Sequence, residues 1–253
     1  MGLSLELKGI SKSFLNREEL NLVLKEFQLG IAKGEFICLL GPSGSGKSTL
    51  LRIIAGLETQ DAGMVLLNGE HLINPDARRV MVFQDFNQLF PWLTVRENII
   101  FPIKAQKTGI SKRELRAMAD RYLAMVKLEK YDDYYPHQLS GGMKQKAAIA
   151  RALALQPEVL LMDEPFGSLD AQARQLLQRM LLNVWEETGV TIVFVTHDIQ
   201  EAVILADRIP ILSKNTHSIK EIIVNPLLRP RLQGTAEFAQ VWQDIYQLLD
   251  AAE

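Results

Sequence analysis

The sequence predicts an α/β fold: a core with a mostly parallel sheet, an antiparallel β subdomain at the N-terminus, and an α-helical subdomain inserted into the core. Three observations predict it. Short continuous apolar runs, Phe36 to Leu40, Val159 to Met162 and Thr191 to Val195, alternate with stretches of helical period, the pattern of parallel strands buried on both faces. Leu3, Leu5 and Leu7 alternate with Ser4, Glu6 and Lys8, a half-buried strand, and Asn21 to Ile31 gives a second, less regular one. From Asp85 to Leu155, by contrast, helical segments follow one another, so this block interrupts the α/β alternation.

Taken in order, the two N-terminal strands form an antiparallel sheet, with Phe14 between them in the polar setting of Lys12, Ser13 and Asn16. An aromatic there can lie on a purine ring or simply close the edge of the sheet. The run Phe36 to Leu40 then leads into Gly41, Pro42, Ser43, Gly44, Ser45, Gly46, Lys47, Ser48 and Thr49, which fit the phosphate-loop pattern GxxxxGK[ST]. Leu50, Leu51, Ile53, Ile54 and Leu57 recur at helical spacing behind it, so the loop lies between a strand and a helix, as the pattern requires. Its glycines let successive N–H groups turn inward around a polyphosphate, and the helix N-terminus adds partial positive charge. Lys47 is placed to reach the β- and γ-phosphates, Ser48 to ligate Mg²⁺, and Thr49 to make a further phosphate contact. The core is thus of the P-loop NTPase (RecA-like) type.

Gly63 to Gly69 reads as strand and turn, and Val80 to Phe83 as a short strand ending at Gln84, whose amide either faces the metal and the attacking water or is merely polar. Helices follow at Val95 to Gln106, with Pro102 marking a kink or break, at Ser111 to Val126, and at Gly141 to Leu155. Ser111 and Glu114 make a capping box. Leu139-Ser140-Gly141-Gly142-Met143 opens the third helix with a hydroxyl, two glycine N–H groups and a helix dipole, a second anion site. One nucleotide does not need two such loops from one chain, so loops that lie far apart call for a second copy. Val159 to Glu164 has the form of a Walker B strand: Asp163 holds Mg²⁺, and Glu164 accepts a proton from the attacking water or polarises it. A helix from Ala171 to Thr188 and the strand Thr191 to Val195 bring the chain to His197, within reach of a γ-phosphate or simply closing a strand. Gly41, Asp163 and His197 all fall at carboxyl ends of strands, where ligands of open α/β sheets bind. Pro226 to Pro230 reads as a linker to an amphipathic helix, Ala236 to Leu249.

The 253 residues suffice for a full core, and a net charge of −2 without a basic tract argues against nucleic acid as a partner. One cysteine, Cys38, excludes an intramolecular disulfide framework. No apolar run approaches the length of a membrane span, and Met1 to Ile10 does not read as a leader, so the expectation is a cytoplasmic chain that meets a membrane only through a partner.

Together these motifs resemble the ATP-binding-cassette (ABC) ATPases: GPSGSGKST at 41–49, Gln84 as the Q-loop, LSGGM at 139–143, VLLMDE at 159–164, SLD at 168–170 as the D-loop, and His197 as the switch histidine. The resemblance runs from about residue 3 to 225. It implies an ATPase domain over 1–225, with core 1–84 and 156–225, helical insertion 85–155, and a C-terminal linker and helix over 226–253. It also implies two copies paired head to tail, each phosphate loop facing Ser140, Gly141 and Gly142 of the other across ATP. Phe14 would stack on adenine where the family often has tyrosine, Asp170 would communicate across the dimer, and Gln84, with Ser48 and Asp163, would approach Mg²⁺. Met143 departs from the family's usual glutamine, which leaves the phosphate contacts of Ser140 and the glycines untouched. The segments Arg79 to Gln84, Leu89 to Asn98 and Asp163 to Asp170, with Ile219 to Val224 and Arg229-Pro230-Arg231, are similar to the nitrate, sulfonate and taurine importer subfamily. That similarity implies a separate transmembrane permease, bound at the inner face of the membrane, and a solute-binding protein that chooses the cargo. A lipid-transport cassette and a soluble cassette without a permease are the competing readings. Phe90, Pro91 and Trp92 either form part of a groove for the permease or pack within the insertion.

Overall fold

The computed structural model describes residues 3–16, 19–106 and 109–250, in two units, Met1–Asp76 with Thr191–Glu253, and Ala77–Val190. The first stretch contains β1 (Leu3–Asn16), β2 (Glu19–Ala32), β3 (Phe36–Leu40), α1 (Lys47–Ala55), β4 (Ala62–Leu67) and β5 (Glu70–His71). The second unit contains β6 (Arg79–Val82), α2 (Val95–Gln106), α3 (Lys112–Met125), α4 (Gly141–Leu153), β7 (Val159–Asp163) and α5 (Ala171–Thr188). The chain then returns to the first unit with β8 (Thr191–Thr196), α6 (Ile199–Leu205), β9 (Arg208–Ser213), β10 (Ser218–Val224) and α7 (Ala236–Asp250).

In the first unit β1, β2, β4 and β5 form the expected antiparallel sheet, in the order β2-β1-β4-β5. Both long strands outrun the sequence expectation, because irregularities in register near Gly9 and Lys12 break the alternation without breaking the pairing. One placement changes as a result. Phe14 does not stand between the strands; it lies within β1, opposite Asn21 of β2. The other strands of this unit are β3, paired in parallel with β8 and β9, and β10, antiparallel to β9. Every residue of β3 and β8 is buried, which is why both read as continuous apolar runs. Burial pushes the Cys38 thiol of β3 well up, with the charges of Glu201 and Asp198 adding to the shift.

In the second unit β6 and β7 pair in parallel, and α2, α3 and α4 pack against one another as the helical block. Pro102 neither breaks α2 nor ends it: the helix continues through it to Gln106. The capping box at the start of α3 is complete. Ser111 Oγ accepts from the Glu114 N–H at 3.2 Å, and Glu114 Oε2 accepts from the Ser111 N–H at 2.9 Å and its hydroxyl at 2.7 Å. These bonds from Ser111 hold the Glu114 carboxyl below its usual range. A carboxyl lowered on folding stabilises above its unfolded pKa of about 4.3, and that contribution is lost as pH falls through the lowered folded value. Protection of the amides in the first turn of α3, taken relative to the unprotected exchange rate at the same pH, should therefore fall on acidification in the wild type, and the fall should be absent in Glu114→Gln.

Four of these elements, β5, α6, β9 and β10, have no counterpart in the sequence expectation. The helix α6 spans too few turns for a periodicity to show, and Pro210 argues against a strand where β9 in fact pairs with both β3 and β10.

Candidate nucleotide-binding site

The phosphate loop leaves the first unit's sheet beside His197, because Leu40, its last strand residue, pairs with Thr196 of the parallel strand β8. Gly46, the N-cap of α1, has φ +89°. A Cβ there would come within 2.9 Å of Leu24 Cδ2 and 3.0 Å of the Val23 carbonyl, so both conformation and space demand glycine. Lys47 is buried, and its ammonium donates to the Gly41 and Pro42 carbonyls at 2.8 Å each, inside the arc of the loop. The Ser45 hydroxyl is buried with no hydrogen-bond partner, a costly arrangement unless a ligand completes it. A loop with three glycines, an ammonium and an orphaned hydroxyl at a helix N-terminus fit a polyphosphate. Ser48 and Thr49, half-buried, open α1 beside them.

The hairpin of β1 and β2 borders this loop through Val23 and Leu24 and carries Phe14, whose side chain is 38% exposed. Lys12 Nζ sits 4.9 Å from the Phe14 ring centroid. The same ammonium donates to the Thr59 carbonyl at 2.7 Å and pairs with Glu58 at 2.7 Å, and the Glu58 bond leads the interactions that raise its pKa. The ring thus has a cation held against it and a surface that a base can stack on.

His197 is exposed between β8 and α6, and its neighbours hold the backbone on both sides. Thr196 Oγ1 donates to buried Glu201 at 2.7 Å and accepts from the Asp198 N–H at 3.0 Å. Asp198 caps α6, accepting from the Gln200 and Glu201 N–H groups. The sequence reading gives Thr196 and Asp198 no role beyond ending the strand, and does not name Glu201. The signal was there, since Asp198 followed three residues later by Glu201 has the spacing of a helix cap.

In the second unit, Val82 pairs with Met162, so Gln84 and the two acids leave the same end of a parallel pair. Asp163 closes β7 in strand geometry, whereas Glu164 takes φ +42°, a left-handed conformation that costs a non-glycine residue about 1–2 kcal/mol. A Cβ built on Gly167 would lie 3.5 Å from Gln84 Nε2 and 3.8 Å from Glu164 Oε2, so amide and carboxylate both reach over this one glycine. The backbone conformation thus changes between the two adjacent carboxylates.

Ser140 is the N-cap of α4, its hydroxyl accepting from the Met143 N–H at 3.3 Å. Gly142 differs from Gly46. Its φ is not positive, and a Cβ would meet only Ala173, Leu177 and Leu169 at 3.9 to 4.0 Å, ordinary contact. Among the described residues nothing demands a glycine there. Asp170 caps α5, accepting from the Ala173 N–H at 2.9 Å, so the helix against which Gly142 packs begins at the D-loop residue.

Also absent from the sequence reading is the polar net around residues 83–94. Gln88 Nε2 donates to the Phe83 and Asp85 carbonyls at 3.0 Å, and Arg151 of α4 donates to the Gln88 carbonyl at 2.7 Å. Asn98, wholly buried, exchanges hydrogen bonds with both the N–H and the carbonyl of Phe90 and donates to the Leu93 and Thr94 carbonyls. That locks the aromatic loop. Beside it opens a cleft of about 540 Å³ lined by Met81, Gln88, Phe90, Phe101, Pro102 and Arg151. Phe90 packs on Phe101 and Trp92, and Trp92 is 70% exposed; Pro91 and Trp92 do not line the cleft.

The pattern of the ABC transporter family matches residues 24–167. The chain is 45% identical to the nitrate import ATP-binding protein NrtD of Synechocystis over 87% of its own length and 82% of that protein's. It is 40% identical to the aliphatic sulfonates import ATP-binding protein SsuB of Bacillus cereus over 97% and 95% of the two lengths. Among solved structures, the dimeric post-hydrolysis state of the ATP-binding cassette MJ0796 bound to ADP and Pi superimposes with a TM-score of 0.76 at 35% identity, covering 88% of this chain and all of that one. With the phosphate loop, the paired acids and the Ser140 helix in place, the chain belongs to the ABC transporter family and has the fold of its ATPase cassettes.

Proposed function

We propose that this chain is the ATP-hydrolysing subunit of an ABC importer, working as a head-to-tail pair on the inner face of the cell membrane beneath a separate permease. The observation that carries the proposal is the second anion site: a capped helix N-terminus whose Gly142 is not required by the chain's own packing. Import names among the relatives support the direction of transport, and small oxyanions such as nitrate and sulfonates support the class of cargo, which a solute-binding protein would select. The ATPase domain would span 1–225 with its insertion at 85–155, and 226–253 would form the appended tail.

In this reading Phe14 stacks on adenine. The N–H groups of residues 41–49 and Lys47 bind the phosphates, with Ser45 donating its orphaned hydroxyl and Thr49 adding a contact. Ser48, Asp163 and Gln84 are the hard-oxygen donors that would hold Mg²⁺, which neutralises phosphate charge when bound. Among the described residues no three His, Cys, Asp or Glu side chains cluster to hold an ion by themselves, so the ion would need phosphate oxygens as further ligands. Glu164 takes the proton from the attacking water, and Gln84, reaching over the same glycine, orients that water. His197 faces the γ-phosphate, while Ser140, Gly141 and Gly142 contact the nucleotide of the other copy and Asp170 relays between copies.

Among the described residues no helix is long and apolar enough to cross a membrane. The permease contact is therefore a docking surface, and the cleft at Phe90 and Phe101 with the protruding Trp92 offers one. The chain should co-purify with a permease from detergent-solubilised membranes. Trp92→Ala should weaken that association about tenfold or more while thermal stability stays unchanged, since the side chain is mostly exposed. Unchanged association would remove Trp92 from the interface, and a chain that brings no membrane protein with it would favour a soluble cassette.

A further inference from the structure

The first residues of the tail beyond the last strand of the first unit, Asn225 to Arg231, are tied to the end of α6. Asn225 Nδ2 donates to the Val203 and Ala206 carbonyls at 2.9 and 3.1 Å. Arg229 donates to the Leu205 carbonyl and pairs with Asp207. Arg231 Nη1 lies 3.1, 3.2 and 2.7 Å from the Val203, Ile204 and Ala206 carbonyls, and its Nε donates to the Leu227 carbonyl at 2.9 Å. These carbonyls belong to the last turn of α6 and its cap, the acceptors that a helix leaves unsatisfied at its C-terminus. Two cations placed there also match the negative end of the helix dipole. Burial first, and then the neighbouring Arg229, push Arg231 down to about 10, so it stays cationic at neutral pH.

A helix of seven residues is not stable by propensity alone. This one is held at its start by Asp198 and at its end by the tail, and His197 immediately precedes it. Asp207, paired with Arg229, also accepts from the Phe36 N–H at 3.0 Å, while its own N–H donates to the Phe36 carbonyl at 2.7 Å. The strand that leads to the phosphate loop and the helix that follows His197 are thus joined through Asp207 and Arg229.

We propose that Asn225, Arg229 and Arg231 are positioning residues for His197: the tail clamps the C-terminal end of α6, and through that short helix sets the direction in which His197 is presented. The proposal rests on the reading of His197 as the residue that faces the γ-phosphate. It assigns the tail a part in the turnover step rather than in nucleotide binding.

Steady-state hydrolysis by the full-length chain tests it. Arg231→Gln should lower kcat about tenfold with KM for ATP changed by no more than about twofold, and Arg231→Lys, which keeps the cation, should recover most of the loss. Asn225→Ala, a smaller cut, should act in the same direction and keeps the test open if Arg231→Gln does not fold. Amide exchange in Ile199–Leu205 should accelerate in both variants. In a His197→Ala background Arg231→Gln should cause no further loss, because the two act as a unit. An equal further loss in that background, or a rise in KM matching the fall in kcat, would overturn the proposal. Two other results would also overturn it and are told apart by the exchange data. Unchanged exchange in α6 means the clamp itself is absent, whereas accelerated exchange with normal turnover in His197→Ala means the role given to His197 has failed.

Discussion

Glu164→Gln is expected to reduce ATP hydrolysis by a factor of about 10² to 10⁴ while leaving ATP binding intact, the range that general acid–base groups contribute. Glutamine matches the shape of glutamate and can adopt the same left-handed turn at φ +42°, so the backbone that aims the side chain over Gly167 is preserved. Only the capacity to accept a proton is removed. Gln84, whose amide approaches the same glycine, cannot replace it, because an amide is not a base at neutral pH. ATP that binds without being split should hold the two copies together, so the variant should elute as a dimer with ATP and as a monomer without it. Single-turnover kinetics and gel filtration on one preparation check both halves. Near-normal turnover would remove Glu164 from the role of base and leave it as a strand-end acid.

The second large effect is expected at Gly142. Gly142→Asp has room for its Cβ, which would meet Ala173, Leu177 and Leu169 at ordinary contact distance, and an acid in the first turn of α4 suits the helix dipole. The variant should therefore fold with thermal stability equal to or above that of the wild type. Its single-copy affinity for ATP should also survive, since the phosphate loop is untouched. Hydrolysis, however, should fall by about 10³ or more, because a carboxylate now occupies the place where anion-binding donors face a phosphate. The ATP-dependent dimer of Glu164→Gln should vanish when Gly142→Asp is added. Mixing decides whether the site is shared between copies. Gly142→Asp and Lys47→Ala chains are each inactive alone, but a head-to-tail pair of one of each has one intact phosphate loop facing one intact Ser140 helix. Recovered hydrolysis on mixing supports sharing; none at concentrations where the wild type dimerises would place the whole site within one chain.

How much of this could be read before the structure depends on how local the cause is. The phosphate loop, the Ser111 capping box, the Ser140 cap and the buried runs of β3, β7 and β8 are set by neighbours within about one turn or one strand, and they lie where their spacing places them. Phe14 was displaced because the register irregularities in β1 hide a strand that continues past its alternating part. Pro210 concealed β9, since a residue that cannot donate to a ladder argues against a strand with neighbours on both sides, yet β9 pairs with β3 and β10.

By itself the amino-acid sequence determined the candidates for the chemistry: Lys47, Ser48, Asp163, Glu164 and the Ser140 helix by residue type and short-range spacing, and Gln84 and His197 through the family resemblance. Only the tertiary structure decided how they are held. It shows Ser45 with an orphaned hydroxyl, Glu164 held at a left-handed φ, Gln84 and Glu164 both near Gly167, and the tail's arginines closing the end of α6. Each of these depends on burial, on a backbone angle, or on an approach between residues that the chain's period does not encode. Local patterns report which groups are available; where those groups face is settled by packing.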